Sequence, residues 1–217
     1  MFGQKTTLYL SSPHNGIVYL CPPYKVLAQI FYFKELYDKI SGIDGDIVEC
    51  GVAYGGSLYI LGALAKQEGK DRKIYGLDSF EGFPEPTVED LSEYRVIQKG
   101  EYNDTSTAKV KQLFHWADLE EPTLIKGFIE DTAGSFKNQV DRIAFLHIDT
   151  DLYNSYKFSL NELFDKVAKG GLVLFDEYDD PKFPGATKAV DEFFAGTSCE
   201  LQKIKYMDKY KFFVIKK

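Results

Sequence analysis

The feature that most constrains the fold is a regular alternation of short apolar runs with longer amphipathic stretches. The runs have the length of β-strands, and the stretches between them repeat their apolar residues with helical spacing. Such alternation is typical of an α/β fold, in which each helix returns the chain to a neighbouring parallel strand. The predicted strands are 46–51, 73–79, 122–128, 142–149 and 170–177, and the predicted helices are 57–67, 105–117, 155–168 and 186–195.

Three of these strands are apolar on successive residues, namely 46–51, 142–149 and 170–177. Strands of that kind are covered on both faces, so we expect them at the centre of the sheet. The "KGG" motif at 169–171 is interpreted as the stop signal of helix 155–168, directly before the last of the three strands.

Two more strand-like runs follow the last helix, at 199–206 and 210–217, with residues 207–209 between them. A gap of three residues predicts an antiparallel hairpin at the edge of the sheet. The predicted fold is therefore a mostly parallel seven-stranded sheet with an antiparallel C-terminal hairpin. This is the α/β arrangement of the Rossmann-like class I methyltransferases.

The length of 217 residues and a hydrophobic content of 44% predict a single domain over 1–217. Two segments fall outside the alternating pattern. Residues 1–40 include an aromatic-rich helical pattern at 24–40, and residues 83–104 combine proline and acidic residues with little periodicity. Because irregular segments of this length are often functional, both are interpreted as lids over a site.

The formal net charge of −7 and the isoelectric point near 5.1 argue against nucleic acid or an anionic membrane as partner. The lysines at 203–217 are interpreted as the solvated face of the hairpin. With no signal peptide or membrane span evident, we expect a cytoplasmic protein. The three scattered cysteines, Cys21, Cys50 and Cys199, are interpreted as reduced packing residues.

The stretch "IVECGVAYGGS" at 47–57 places an acid at the end of the first central strand and three glycines in the following turn. In an open α/β sheet, this turn is where ligands bind. It lacks the lysine of a phosphate loop and the GxGxxG of a dinucleotide fold. Glu49 would also repel a phosphate, whereas it would attract an ammonium group. S-adenosylmethionine carries such a group together with a carboxylate that the turn amides could hold.

Asp78 supports the same ligand, because it ends the second strand, where a carboxylate can accept both ribose hydroxyls. The alternative is that Glu49 and Asp78 only cap helices. The two acids and the glycine turn together favour S-adenosylmethionine.

A second group of acids follows the fourth and fifth strands, with Asp149 and Asp151 after one and Asp176 and Glu177 after the other. If these strands are neighbours, four carboxylates converge and repel one another unless a cation neutralises them. Oxygen ligands indicate Mg²⁺, or Mn²⁺ or Ca²⁺, rather than zinc or copper.

Three nearby residues are not assigned a role as ligands. His147 is expected to be a core residue or a neighbour of the cofactor, and a satisfied packing role is favoured. Asp179 and Asp180 precede Pro181 in a loop and are expected to face solvent.

Taken together, the motifs resemble the macrocin O-methyltransferase (TylF-like) family. The resemblance covers roughly 45–195 and rests on "GDIVECGVAYGGS", "YGLDSFEGFPEP", "IKGFIEDT", "IAFLHIDTDLYNSY", "GGLVLFDEY" and "PGATKAVDEFF". It implies a class I enzyme that depends on S-adenosyl-L-methionine and Mg²⁺ and methylates hydroxyls of sugars on natural products.

By position, the resemblance implies six residues that hold the cofactor: Glu49, Gly51, Gly55, Ser57, Asp78 and Ser79. It also implies that Asp149 lines the methionine side of the cofactor. The implied metal ligands are Asp151, Asp176 and Glu177. The family's adjacent pair of aspartates is here Asp176 and Glu177, so one of the two ligands has a longer side chain. Residues 1–40 and 83–104 do not match well enough to transfer acceptor contacts.

The reaction expected from these residues is transfer of the sulfonium methyl group to a metal-bound hydroxyl, with Asp151 as ligand and general base. A metal-dependent glycosyltransferase is the rival enzyme, since Asp149, Thr150 and Asp151 form a DxD pattern. A non-catalytic protein that binds S-adenosylmethionine is the third alternative. The aromatic residues of 24–40 are equally consistent with an acceptor wall, a helix core or the face of a homo-oligomer.

Overall fold

The computed structural model describes residues 9–11 and 19–217. The strands are β1 (Tyr9–Ser11), β2 (Tyr19–Cys21), β3 (Asp46–Cys50), β4 (Ile74–Asp78), β5 (Thr123–Lys126), β6 (Ile143–Ile148), β7 (Val167–Phe175), β8 (Gln202–Tyr206) and β9 (Lys209–Ile215). The helices are α1 (Tyr24–Asp38), α2 (Gly56–Glu68), α3 (Thr107–Trp116), α4 (Ile129–Phe136), α5 (Tyr153–Leu163) and α6 (Pro184–Phe194).

Seven strands form one sheet in the order β5-β4-β3-β6-β7-β9-β8. Strands β3 to β7 pair in parallel, whereas β9 is antiparallel to both β7 and β8. This arrangement confirms the predicted fold class and the C-terminal hairpin. The chain runs outward from β3 to β5 and then crosses to β6 on the other side of β3. The turn after β3 therefore lies at the switch point, where ligands bind in such sheets.

Alternating residues of the central strands pack against two different helix layers. Ile47 and Phe145 face the core built with α1 and α2, whereas Val48 and Leu146 face the core built with α4, α5 and α6. Because both faces are covered, these strands can be apolar at every position. The successive apolar residues thus indicated the central strands correctly.

The "KGG" motif does not end a helix, so that interpretation is wrong. Helix α5 ends at Leu163, and β7 already begins at Val167. The three residues lie inside β7, where the pairing with β6 shifts between Ile143 and Phe145. Gly170 has a φ of 82° and donates its amide to the carbonyl oxygen of Lys216. A left-handed glycine suits a strand bulge as well as a helix end, which explains the error.

The remaining differences are small. Helix α4 was not predicted, and neither was the antiparallel pair of β1 and β2 within the N-terminal segment. The hairpin loop is two residues long, because Lys209 already belongs to β9. Residues 1–8 and 12–18 of the predicted N-terminal lid lie outside the described residues.

Cys50 is buried and Cys199 partly buried, and both are free thiols as predicted, whereas the side chain of Cys21 lies outside the described part. Across residues 19–217, none of the helices combines the length and apolar character needed to span a bilayer.

Candidate active site

The glycine turn after β3 is locked to the end of β6. Gly51 has a φ of 86°, and a Cβ atom at this position would lie 1.8 Å from the carbonyl oxygen of Asp149. The amide of Asp149 in turn donates to the carbonyl oxygen of Cys50 at 2.8 Å. Only glycine permits this close approach, so the turn and the first predicted acid of β6 form one unit.

Asp78 ties the same turn to the end of β4. One of its carboxylate oxygens accepts hydrogen bonds from the amides of Val52 at 2.8 Å and Ala53 at 2.9 Å. The other accepts from the amide of Phe80 at 2.6 Å. Ala53 and Phe80 both have positive φ angles, and these bonds hold them there. Asp78 therefore shapes the turn, and its predicted contact with ribose stays a prediction.

A cavity opens above this turn, which we name the glycine-turn cavity. Its lining combines carboxylates with an apolar wall. The carboxylates are Asp78, Asp149 and Asp151, and the wall is formed by Phe83, Pro84, Phe128 and Ile129. Gly51 and Ser79 also line it. Gly55 and Ser57 lie at the start of α2, where Gly55 is left-handed and packs against Val110.

Glu49 is fully buried beneath the turn. Its Oε1 lies 2.7 Å from Nδ1 of His147, and within the described chain its Oε2 has no hydrogen-bond partner. The ring of Phe33 packs edge-on against the imidazole at 5.3 Å. Burial disfavours a charged imidazole, but the carboxylates of Asp176 and Glu49 outweigh it and raise the pKa of His147 to about 10. His147 is therefore a buried core residue that pairs with Glu49 through Nδ1, whereas its Nε2 has no hydrogen-bond partner among the described residues. The direct contact predicted between Glu49 and the cofactor stays a prediction.

Three predicted acids come together beside the cavity. Carboxylate oxygens of Asp149, Asp151 and Glu177 lie within 4.8 Å of one another, and we name these residues the carboxylate cluster. Asp151 has a φ of 62°, a strained conformation that turns it into this position. The hydroxyl of Tyr156 lies 2.7 Å from Oε2 of Glu177 and accepts a hydrogen bond from the Glu177 amide at 3.2 Å.

Asp176 stands apart from the cluster, because Lys211 on β9 binds it. The ammonium Nζ of Lys211 lies 2.6 Å from Oδ2 of Asp176, while Nε2 of His147 is 3.9 Å from Oδ1. The Lys211 side chain is only 14% exposed, so the interpretation of the C-terminal lysines as a solvated face is wrong for this residue. Asp179 is exposed as predicted, whereas Asp180 is half-buried and pairs with Lys209.

The carboxylates differ in their preferred protonation. Burial, followed by the charge of Asp176, raises the pKa of Asp149 to about 7. Burial and the charges of neighbouring acids raise the pKa of Asp151 and of Glu177 well above the usual range. Burial acts in the same direction on Asp176, but His147 and Lys211 outweigh it and lower its pKa. The carboxylate cluster is thus the part of the site that is short of positive charge.

Asp149 also borders a second opening, which we name the hairpin cleft. It is lined by Asp149 and Asp176, by Tyr32 of α1, and by the hairpin residues Tyr206 and Lys211. The aromatic residues of α1 divide between two surroundings. Tyr32, Phe33 and Tyr37 are buried in the core, with Tyr32 also bordering the cleft, whereas Tyr24 and Phe31 are exposed.

Residues of the segment 83–104 border the site, and the role of a lid predicted for this segment stays a prediction. Phe83 and Tyr102 line the glycine-turn cavity. The guanidinium group of Arg95 packs on the ring of Phe183 at 5.0 Å and pairs with Glu101. Arg95 and Lys211 were not predicted as site residues, because no local motif marks either of them. Phe128 and Ile129 fall in the "GFIEDT" motif, which could have indicated them.

The fold and the site define a class of protein. The sheet has seven strands in this order, a glycine turn follows β3, and an acid ends β4. This is a class I methyltransferase fold. Residues 32–213 match the sequence profile of the family described as Macrocin-O-methyltransferase (TylF). The chain belongs to this family.

Individual relatives agree with this assignment. The chain is 32% identical over 161 residues to demethyldecarbamoylnovobiocin O-methyltransferase of Streptomyces niveus, covering 71% of this chain and 60% of the relative. It is 29% identical over 160 residues to mycinamicin III 3''-O-methyltransferase of Micromonospora griseorubida, covering 70% and 61%. The matches thus span about three fifths of the length of these relatives.

Solved structures show the same fold. The O-methyltransferase NovP superposes with a TM-score of 0.76 at 26% identity, covering 88% of this chain and 81% of NovP. The calicheamicin methyltransferase CalS11 superposes with a TM-score of 0.74 at 24% identity, covering 86% and 78%.

Proposed function

We propose that the chain is an S-adenosylmethionine-dependent and Mg²⁺-dependent O-methyltransferase that acts on a hydroxyl group of a sugar or small-molecule natural product. The observation that carries the proposal is the position of Asp149. This residue lines both the glycine-turn cavity and the hairpin cleft, and it belongs to the carboxylate cluster. A donor in one opening and an acceptor in the other would therefore meet at these carboxylates.

The glycine-turn cavity fits S-adenosylmethionine. Its carboxylates suit a ligand that carries positive charge on sulfonium and ammonium groups, and they disfavour a nucleotide diphosphate. The apolar wall of Phe128 and Ile129 suits the flat face of an adenine ring. Asp78 and Ser79 also line the cavity and are proposed to hold the ribose. Gly55 and Ser57 support the turn from the start of α2.

The carboxylate cluster fits a hard divalent cation. Asp149, Asp151 and Glu177 offer oxygen atoms alone, which is the ligand set that Mg²⁺ and Mn²⁺ prefer. Their raised pKa values indicate that a cation would relieve the repulsion between them. We infer that these three residues hold the metal and that Asp176 joins them when Lys211 releases it.

When bound, the metal would polarise the acceptor hydroxyl and S-adenosylmethionine would supply the methyl group. The residues of this chain would bind and orient the methyl donor and the acceptor. Asp151, at the border of the glycine-turn cavity, is proposed to accept the hydroxyl proton. Asp149 and Gly51 fix the distance between the two openings, because their backbones are in contact. The segment 83–104 would exclude water from the cavity.

The proposed acceptor class rests on the relatives and on the hairpin cleft. The relatives are named for methylation of novobiocin-type and mycinamicin-type compounds. The half-buried ring of Tyr206 and the carboxylate of Asp176 are suited to pack on a sugar and to accept its hydroxyl groups.

The test is methyl transfer by the purified chain. S-adenosylmethionine with a labelled methyl group, Mg²⁺ and a panel of glycosylated acceptors would be incubated with and without chelator, and with Asp151→Asn as a control. Labelled product that depends on metal and on Asp151 would support the proposal. Transfer that is undiminished by chelator would refute the role of the metal.

Calorimetry separates the alternatives. Tight binding of S-adenosylhomocysteine with no heat from sugar nucleotides is expected. The reverse pattern would indicate a glycosyltransferase that uses Asp149 and Asp151 as a DxD motif. Tight cofactor binding without turnover of any acceptor would indicate a non-catalytic binding protein.

A further inference from the structure

Lys211 occupies an unusual place for a hairpin lysine. Its Nζ lies 2.6 Å from Oδ2 of Asp176 and 2.8 Å from the carbonyl oxygen of the same residue. Its side chain is 14% exposed, whereas that of Lys209, two residues earlier on β9, is 61% exposed and pairs with Asp180. The two lysines thus differ in burial although they share a strand and a face.

The buried ammonium group of Lys211 borders the same opening as the proposed metal ligands. Asp149, Asp151, Asp176 and Glu177 line that opening together with Lys211. Asp176 also directly precedes Glu177, so the ion pair is adjacent to the carboxylate cluster in the chain as well as in space. A divalent cation held by the cluster would be close to the ammonium group of Lys211, and the two positive charges would repel each other.

We propose that Lys211 is a built-in counterion that binds Asp176 in the metal-free protein and competes with the divalent cation for that carboxylate. The inference rests on the metal site of the proposed function. Lysine suits this role because its flexible stem lets the ammonium group withdraw, and the carbonyl oxygen of Asp176 keeps a second contact for it.

Two consequences distinguish this role from a simple structural ion pair. The counterion holds the acidic site together without metal, so its removal makes folding depend more strongly on the cation. It also weakens cation binding, so its removal tightens that binding. A lysine that only stabilised the hairpin would change stability and leave the affinity for metal unchanged.

The test is metal binding to Lys211→Met, which keeps the length of the side chain and removes its charge. Mn²⁺ binding to the full chain would be followed by electron paramagnetic resonance, and Mg²⁺ binding by competition. We expect the dissociation constant for Mn²⁺ to fall by roughly tenfold, from the loss of one nearby positive charge. The rise in melting temperature on adding Mg²⁺ should be larger than in the wild type.

Lys211→Arg and Lys209→Met serve as controls. Lys211→Arg keeps the charge and should bind Mn²⁺ about as weakly as the wild type, and Lys209→Met removes a charge that pairs outside the cluster. If Lys211→Met does not fold, Lys211→Gln provides the same comparison, because its amide can still donate to Asp176.

Unchanged or weaker Mn²⁺ binding in Lys211→Met or Lys211→Gln, with a wild type that binds Mn²⁺, would overturn the counterion role alone. No Mn²⁺ or Mg²⁺ binding by any of these proteins would instead overturn the metal site of the proposed function, and the counterion role with it.

Discussion

The backbones of Gly51 and Asp149 approach so closely that a Cβ atom on Gly51 would lie 1.8 Å from the carbonyl oxygen of Asp149. This contact joins the glycine turn of β3 to the acidic end of β6. A methyl group cannot be accommodated by moving a side chain, since the clash is with the main chain. The distance between the proposed donor and metal positions therefore depends on one glycine.

Replacing Gly51 with alanine is expected to disrupt both ends of this contact. The clash and the positive φ should together cost more than about 2 kcal/mol of unfolding free energy. Binding of S-adenosylhomocysteine, measured by calorimetry, should be lost. Gly56→Ala is the matched control. Residue 56 begins α2, and a Cβ atom there meets nothing within 4 Å. Equal effects of the two substitutions would contradict the explanation.

Asp151→Asn should sharply lower turnover while leaving the backbone of the site in place. Asparagine tolerates the left-handed conformation of residue 151, so the backbone is expected to persist. Loss of the proton acceptor should lower kcat by roughly 10²- to 10⁴-fold. Affinity for S-adenosylhomocysteine should stay within about threefold of the wild type.

Asp118→Asn controls for the chemistry of that substitution. Asp118 is also left-handed but is fully exposed, and it pairs with Lys66. Its kcat should match that of the wild type. Full activity of Asp151→Asn with an acceptor identified for the wild type would exclude Asp151 as the base.

Tyr156→Phe is expected to weaken metal binding through Glu177. The hydroxyl lies 2.7 Å from Oε2 of Glu177, and both side chains are buried. Without the hydroxyl, the Glu177 carboxylate loses a contact that orients it, and loss of a hydrogen bond to a metal ligand typically weakens metal affinity by about 10- to 100-fold. Unfolding by urea should show a loss of about 1–3 kcal/mol.

Tyr178→Phe provides the comparison, since its hydroxyl bonds to Asp191 at 2.7 Å in an exposed position. Its Mn²⁺ affinity should be unchanged. A similar loss of affinity in both variants would show that the effect does not pass through Glu177.

Glu68 should make the stability of the fold depend on pH in the acid range. Hydrogen bonds from Arg72 and from the hydroxyl of Tyr37 lower the pKa of Glu68 to about 2. Because the folded pKa is below the unfolded value near 4.5, this stabilisation is present above that value and is lost as the pH falls towards about 2.

Glu68→Gln should therefore lower stability at neutral pH and flatten the pH dependence between about 4.5 and about 2, followed by urea unfolding. Glu121→Gln removes a more exposed partner of Lys111 and should leave the profile unchanged. If Glu68→Gln keeps the wild-type dependence of stability on pH, that dependence comes from another carboxylate.

The sequence by itself determined the sheet and the placement of the acids. Apolar runs at successive positions predicted central strands, because a strand covered by helices on both faces has no polar side. Acids at the ends of predicted parallel strands, such as Asp78, Asp149 and Asp176, had to gather at one edge, because parallel strands end together.

Only the tertiary structure decided which of these groups meet. Glu49 binds His147, which is 98 residues away in the chain, and Lys211 binds Asp176 from β9, the antiparallel strand beside β7. Local periodicity cannot encode such pairs, because they depend on strand order, register and the direction of each side chain. The sequence therefore predicted an acidic site, and the fold decided which of its carboxylates are already neutralised and which still need a cation.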